Sequence, residues 1–457
     1  MKMNPSAGQD RFTYMTQTPV PKLITTLAIP TIISMLVTGI YNTADTYFVG
    51  RISTQATAAV GLVFSVMAII QAFGFFCGHG SGNYISRMLG AGNKKEANEA
   101  ASTGFALALI IGICFTVLGI LFIIPIANFI GATPTTLEDT ITYMRIILLG
   151  APFMMCQFVV NNQLRFQGSA MYAMVGLLCG AILNIFLDPL LIFVFHLGVA
   201  GAAIATVTGQ IISFSVLLAG SRRGENIRLS VHNVRLNGHY LFEIVNGGAP
   251  SLFRQGLTSV ASILLNTAAG SFGGDAAIAG MSVVTRVTML VCSALIGFGQ
   301  GFQPVCSFNY GAGLKKRVRE GYFFSLKYGT VWLTICGILC FAFAPGIIGW
   351  FRKDPDVIAV GAVALRIQAC TIPLLATQFM SNMMLQSTGK GFKASVTSSA
   401  RNGIFFIPLI LILPRLFGLR GVEMTQAVAD VCSIALTIPL AMSELKKMKE
   451  ESPPAIS

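Results

Sequence analysis

Residues 52–86 carry no Asp, Glu, Lys or Arg, and neither do residues 100–137. Each run holds a stretch of the roughly 20 apolar residues that cross a bilayer as a helix. The rest of the chain follows the same pattern: 54% of its 457 residues are apolar and 11% are charged, against about 25% charged in a soluble domain. The chain is therefore expected to be an all-α, polytopic membrane protein. Twelve spans are expected, near residues 23–47, 57–83, 99–124, 136–160, 170–195, 199–220, 243–270, 276–305, 320–346, 357–384, 393–414 and 421–443. The polar opening, MKMNPSAGQDRFTYMTQTPVPK, leads into an apolar run longer than a signal-peptide core, so no cleavable leader is expected.

Lys and Arg are distributed unevenly between alternate connections. With a cytoplasmic N-terminus, the inside segments hold Lys2, Arg11 and Lys22, then Arg87, Lys94 and Lys95, then Arg165. They continue with Arg222, Arg223, Arg228 and Arg235, then Lys315, Lys316, Arg317 and Arg319, then Lys390 and Lys393, and finally Lys446, Lys447 and Lys449. The outside loops hold only Arg51, Arg352, Lys353, Arg415 and Arg420. The positive-inside rule then places both termini in the cytoplasm. This bias accounts for most of the net charge of +13, and no nucleic-acid partner is needed to explain it.

The sequence is written twice. GAGNKK at 90–95 returns as GAGLKK at 311–316. Asn161, Leu164 and Gly168 correspond to Asn382, Leu385 and Gly389, and Pro30, Pro189 and Gly198 to Pro250, Pro408 and Gly418. All these pairs lie 219–221 residues apart and in order. The expected architecture is two pseudo-symmetric six-helix bundles, residues 1–220 and 243–457, joined by a basic cytoplasmic linker at 221–242. Six helices per repeat keep both halves in the same orientation. Such parallel repeats are an architecture of secondary transporters.

Within NIFLDPLLIF, residues 184–193, a carboxylate stands among apolar residues. An acid inside a membrane span is costly and by default functional. Asn184 and Asp188 are four apart and share a helix face. Pro189 lacks the N–H that would bond the Ile185 carbonyl, so a kink is expected there. On the first helix Thr38, Tyr41, Asn42 and Asp45 line one face, which must look into protein or water. The second repeat serves as an internal control: Asp188 corresponds to Ile407, Asn184 to Gly403 and Asp45 to Leu265. The fold tolerates apolar residues at both acid positions. Asp45, Asn184 and Asp188 are therefore candidates for a site holding H⁺ or Na⁺.

Weaker candidates are Asp430 on the last helix and Gln255 on the seventh. Met35, Met67 and Met281, with Met155, Met174 and Met289, are candidates for an adaptable apolar lining. Arg254, Arg286 and Arg401 also fall within helices, where pairing or snorkelling is the ordinary outcome. The ten cysteines all fall within expected helices and offer no zinc spacing, and neither disulfides nor a structural metal is expected.

With QPVCSFNYGAG at 303–313, LGAGNKK at 89–95 and NIFLDPLLIF followed by GVAGAAIAT at 184–206, nearly the whole chain resembles the multidrug and toxic compound extrusion (MATE) family. It is most similar to the bacterial branch with aspartates on helices one and five. The resemblance implies a V-shaped pair of lobes that alternate access and expel amphipathic, mostly cationic compounds, driven by H⁺ or Na⁺. It also implies roles for Tyr41, Asp45, Asn161, Asn184, Asp188 and Thr206, with Tyr143 in the same cluster. Other branches carry acids on helices seven and ten. Here those helices offer only Glu243, near the membrane edge.

An enzyme reading finds little support. The Tyr-Asp and Gly-x-Gly-Asp signatures of intramembrane aspartyl proteases are absent, GHGSG at 78–82 lacks the register of a serine nucleophile elbow, and there is no Walker A motif. A lipid-linked saccharide flippase of similar build is the alternative transporter reading. The expected protein is a monomeric transporter of the bacterial plasma membrane without an organic cofactor, its partners being amphipathic cations and membrane lipids.

Overall fold

The computed structural model describes residues 10–224 and 226–450, apart from the side chains of Asn42, Thr43 and Thr46. The expectation for Asn42 thus lies outside the described residues. All regular structure among the described residues is helical. In chain order the elements are α1 (Arg11–Gln17), α2 (Val20–Gly50), α3 (Thr54–Gly90), α4 (Lys94–Leu121), α5 (Ile123–Phe129), α6 (Leu137–Phe166), α7 (Ala170–Pro189) and α8 (Gly198–Ser221). They continue as α9 (Gly238–Gly311), α10 (Lys315–Ala342), α11 (Ala344–Phe351), α12 (Pro355–Thr371), α13 (Leu375–Ser387), α14 (Gly391–Ser399), α15 (Phe406–Phe417) and α16 (Leu419–Glu450).

Eleven of the helical runs are long and apolar enough to cross a membrane. One of them, α9, has 74 residues. At 1.5 Å per residue it is about 110 Å long, far beyond a hydrocarbon core of about 30 Å. Its helix breaks at Gly274, where φ is +65° and ψ −159°, a conformation open to glycine alone. α9 therefore supplies two spans, and twelve result, as the sequence predicts. Three spans contain a local change of winding: a π turn at Leu190–Val194 directly after α7, a 3₁₀ turn at Ile372–Leu374 between α12 and α13, and a π turn at Ala400–Ile404 between α14 and α15.

The chain packs into two compact units. The first comprises the described residues up to Gln17 together with Ile29–Leu252, and the second comprises Thr18–Ala28 together with the residues from Phe253 onward. The packing boundary and the repeat boundary thus differ, and glycines show why. In the first unit a Cβ at Gly80 would collide with the Ile244 carbonyl, and one at Gly248 with the Phe76 carbonyl. In the second unit a Cβ at Gly301 would collide with the backbone of Ala28. Gly80 corresponds to Gly301, and Gly248 to Ala28, at the offset of the repeat. The start of α9 is seated on α3 by the same device that seats the start of α2 on the second half of α9.

The first unit is centred on α6, whose Tyr143, Met144, Met155 and Val159 pack with Val63 and Ile70 of α3. The second has a corresponding core of Leu265, Met281, Leu365 and Phe406. Large apolar side chains also cover the outside of the spans; Leu121, Phe186 and Ile338, for example, are more than 60% exposed. Such a surface suits lipid rather than water. The linker is fastened by hydrogen bonds to the C-cap of α6 and the first third of α4: Ile227 N–H to Gln167 Oε1 at 2.7 Å, Ser230 N–H to Ser102 Oγ at 3.2 Å and Arg235 N–H to Thr103 Oγ1 at 2.9 Å.

Candidate functional site

In the first unit four helices bring polar groups to one place within the spans. α7 and α8 approach closely because Gly180 and Gly209 stand against each other's carbonyls. This brings Asn184, 1% exposed, beside Thr206 of α8, 2% exposed. Asp188, one turn further along α7, is fully buried. With its amide turned to satisfy both neighbours, Asn184 donates to Asp188 Oδ2 at 3.2 Å and accepts from the Thr206 N–H at 3.2 Å. Tyr41 of α2 and Tyr143 of α6 both lie beside the Thr206 hydroxyl and within the electrostatic reach of Asp45 and Asp188. Asp45 in turn acts on Asp188. The six residues Tyr41, Asp45, Tyr143, Asn184, Asp188 and Thr206 therefore form one cluster.

Its charge balance is unusual. Among the described residues no Lys, Arg or His pairs with either aspartate, and Asp45 Oδ1 is buried without a hydrogen-bond partner. Two neighbouring carboxylates inside a membrane span repel each other, and a proton or a cation between them removes that repulsion. The cluster offers two carboxylates, an amide, a hydroxyl and two phenols, an oxygen-rich set suited to either. Directly after Pro189 the chain winds into the π turn, in which Phe195 N–H bonds the Leu190 carbonyl at 3.0 Å. Single π turns of this kind recur at functional sites.

Other sequence candidates fall elsewhere. Thr38 spends its hydroxyl on the Ser34 carbonyl of its own helix, at 2.8 Å. Asn161 donates to the Ala173 carbonyl at 2.9 Å, and its counterpart Asn382 donates to the Ala394 carbonyl at 2.7 Å. The same bond in both halves marks Asn161 as a clamp between consecutive helices. Met67 packs against the first core and Met281 lies inside the second. Met35 is partly exposed on α2, and Gln255 is partly exposed on α9.

Asp430 is fully buried in the second unit but is not short of partners. Arg401 Nε donates to it at 2.7 Å, Gln368 at 2.7 Å, Gln426 at 3.0 Å and Thr371 at 3.5 Å. Its oxygens are occupied, and it anchors Arg401, the second residue of the Ala400–Ile404 π turn. Sequence reading also passed over a buried group in the first unit. His79 meets an Arg165 nitrogen at 3.0 Å and the Ser251 hydroxyl at 3.2 Å, while Arg165 donates to Asn162 Oδ1 at 2.7 Å. Glu243 pairs with Arg87 at 2.7 Å. His79 lies in the GHGSG stretch; Gln300 and Gln386 replace His79 and Arg165 in the second half, a difference that could have drawn attention to them.

Comparison with known proteins follows the same division of the chain. The MatE family model matches twice, over residues 30–190 and 250–412, stretches that begin one repeat offset apart. The chain is 28% identical to the multidrug export protein MepA of Staphylococcus haemolyticus strain JCSC1435, over 92% of this chain and 93% of that one. It is 28% identical to the protein of the same name from Staphylococcus aureus strain MSSA476, over 92% and 94%. Among solved structures, one described as the outward-facing conformation of a multidrug resistance MATE family transporter of the MOP superfamily superposes with a TM-score of 0.90 at 26% identity, covering 96% of this chain and 99% of that one. A structure of MATE in the bent conformation gives 0.91 at 26% identity, covering 97% and 99%.

Proposed function

The chain belongs to the MatE family and is a multi-pass membrane transporter, and from that premise we propose that it is a cation-coupled multidrug antiporter. In this reading H⁺ or Na⁺ enters the first unit's cluster while amphipathic, mostly cationic compounds are expelled across the bacterial plasma membrane. Both termini and the linker face the cytoplasm.

The observation that carries the reading is the pair of Asp188, fully buried, and Asp45, partly exposed with one oxygen buried and unbonded: among the described residues neither has a counter-cation, while the second unit's Asp430 has one. A proton on the pair removes one charge; Na⁺ offsets it and draws ligands from Asn184, Thr206 and the carboxylates. Either event changes what the polar face of α2 requires of its neighbours. A difference in stability between two helix positions is what ion binding must supply to bias transport. Tyr41 and Tyr143 add phenol oxygens beside Thr206, and Asn184 orients Asp188.

The test is efflux of ethidium from proteoliposomes under proton and sodium gradients imposed separately. Export driven by at least one of them, and lost in Asp45→Asn and Asp188→Asn, is the expected result. Export that runs on neither gradient, or that survives both substitutions, would overturn the proposal.

A further inference from the structure

Arg254 lies on α9, about 24 Å from Gly238 along a segment that runs about 54 Å to the break at Gly274 at 1.5 Å per residue. A ~30 Å hydrocarbon core centred on that segment leaves Arg254 about 12 Å from one face and about 18 Å from the other, well inside the span. Among the described residues no hydrogen bond, ion pair or aromatic ring engages its guanidinium, and it is partly exposed. The contrast within the same unit is sharp. Arg401, also within a span, has Asp430 at 2.7 Å.

The backbone around Arg254 is fixed. Thr258 Oγ1 donates to the Arg254 carbonyl at 2.6 Å and accepts from Asn402 Nδ2 at 2.8 Å. Asn402 belongs to the Ala400–Ile404 π turn, and Gly403 of that turn rests on Leu257. The turn carrying the arginine is thus clamped to an irregular segment while the guanidinium itself is left unmatched. The repeat shows that the fold does not require this charge: the position corresponds to Ser34, whose hydroxyl simply bonds the Pro30 carbonyl at 2.8 Å.

We propose that Arg254 is an anion-binding residue of the second unit, receiving the carboxylate or phosphate oxyanion of an amphipathic ligand or of a lipid headgroup. A guanidinium fork matches two oxygens of such a group at once. In a membrane span the bond gains strength from the low dielectric, and an unmatched arginine there has no cheaper partner. The assignment does not depend on which ion drives export, because it concerns ligand charge at a position in the other unit.

The experiment uses the full-length protein in phosphatidylcholine nanodiscs, with no ion gradient. Two probes are compared by fluorescence anisotropy: rhodamine B, which carries a carboxylate, and its ethyl ester, in which that charge is removed. Wild type is expected to bind the acid more tightly than the ester. Arg254→Gln and Arg254→Ser should weaken the acid about tenfold or more, the scale of a lost charge-assisted hydrogen bond, and move the ester less than twofold. Arg254→Lys should recover part of the loss. Adding phosphatidylglycerol separates the sources. If it weakens rhodamine B binding to wild type but not to Arg254→Gln, the phosphate of this net-anionic lipid competes for the residue; if it has no effect, the ligand's own anion is preferred over it. A wild type that does not prefer the acid overturns the proposal even if the Gln and Ser variants fail to fold. So does an equal loss of both probes in a folded variant.

Discussion

At the scale of single residues the two halves of the chain act as controls for each other. Asp188 corresponds to Ile407, so Asp188→Asn is expected to reach the membrane at wild-type level and melt within a few degrees of wild type, while gradient-driven export falls to background. Loss of the protein from the membrane would instead make the acid structural. Asp430 predicts the opposite phenotype. Replacing it by Leu leaves Arg401, 18% exposed within a span, without its partner, a loss of up to about 3–5 kcal/mol, read as a marked drop in melting temperature; pairing that change with Arg401→Met should restore most of it. A single substitution that leaves the melting temperature unchanged would show the ion pair to be dispensable. The same logic explains what the sequence did and did not reveal about the site. Asp45, Asn184 and Asp188 stood out because the second half lacks them. Asn161 is shared with Asn382, a sign of a fold requirement, and both side chains clamp the next helix. Thr38 sits at the right spacing on α2, but a threonine in a helix readily bonds the carbonyl one turn back, and periodicity does not distinguish that from a group free for a ligand.

At the scale of helices, the apolar runs were legible and their interruptions were less so. The expected third and ninth spans, ending near 124 and 346, each stop earlier, at Phe122 and Phe343, and restart as the short helices α5 and α11. No polar residue marks either stop. The signal available was Pro125 and Pro345, which sit in the first turns of the new helices, where a missing N–H costs nothing. The expected kink near Pro189 appears as a π turn that begins right after the proline. In the second half the π turn precedes Pro408 and ends at Ile404, whose carbonyl is the one that Pro408 leaves without a donor. Related prolines thus accompany π turns on opposite sides. Pro189→Ala supplies the missing donor to Ile185 and is expected to leave thermal stability equal or higher while lowering export severalfold. Unchanged export would show that the turn is incidental. Close packing gives a symmetric expectation: Gly80→Ala and Gly301→Ala each drive a methyl group into neighbouring backbone, and each should cost about 1–3 kcal/mol by overpacking. Gly274→Ala should also destabilise, through its positive φ rather than crowding, since nothing lies within 4 Å of a Cβ there.

At the scale of the whole molecule, duplication supplies one fold twice and divergence gives the copies different charges. Among the described residues the first unit holds two neighbouring acids without a cation, whereas the second holds an arginine within a span without an acid. Such asymmetry carries meaning only if both copies cross the membrane in the same sense, which six spans per repeat provide. Lys and Arg then determine which sense that is: twenty lie in one set of connections and five in the other. The linker joins the majority set. Its backbone is bonded to the first third of α4 and to the C-cap of α6, so its side must be that of those segments, and it cannot be translocated without breaking these bonds. In a background lacking the ten native cysteines, Gln55→Cys and Ser271→Cys, both exposed and next to outer connections, are expected to react with a membrane-impermeant maleimide added to sealed cells. His232→Cys, exposed on the linker, should react only after the cells are opened. Labelling of position 232 in sealed cells, with positions 55 and 271 silent, would invert the molecule, and with it the side from which each ion and substrate enters.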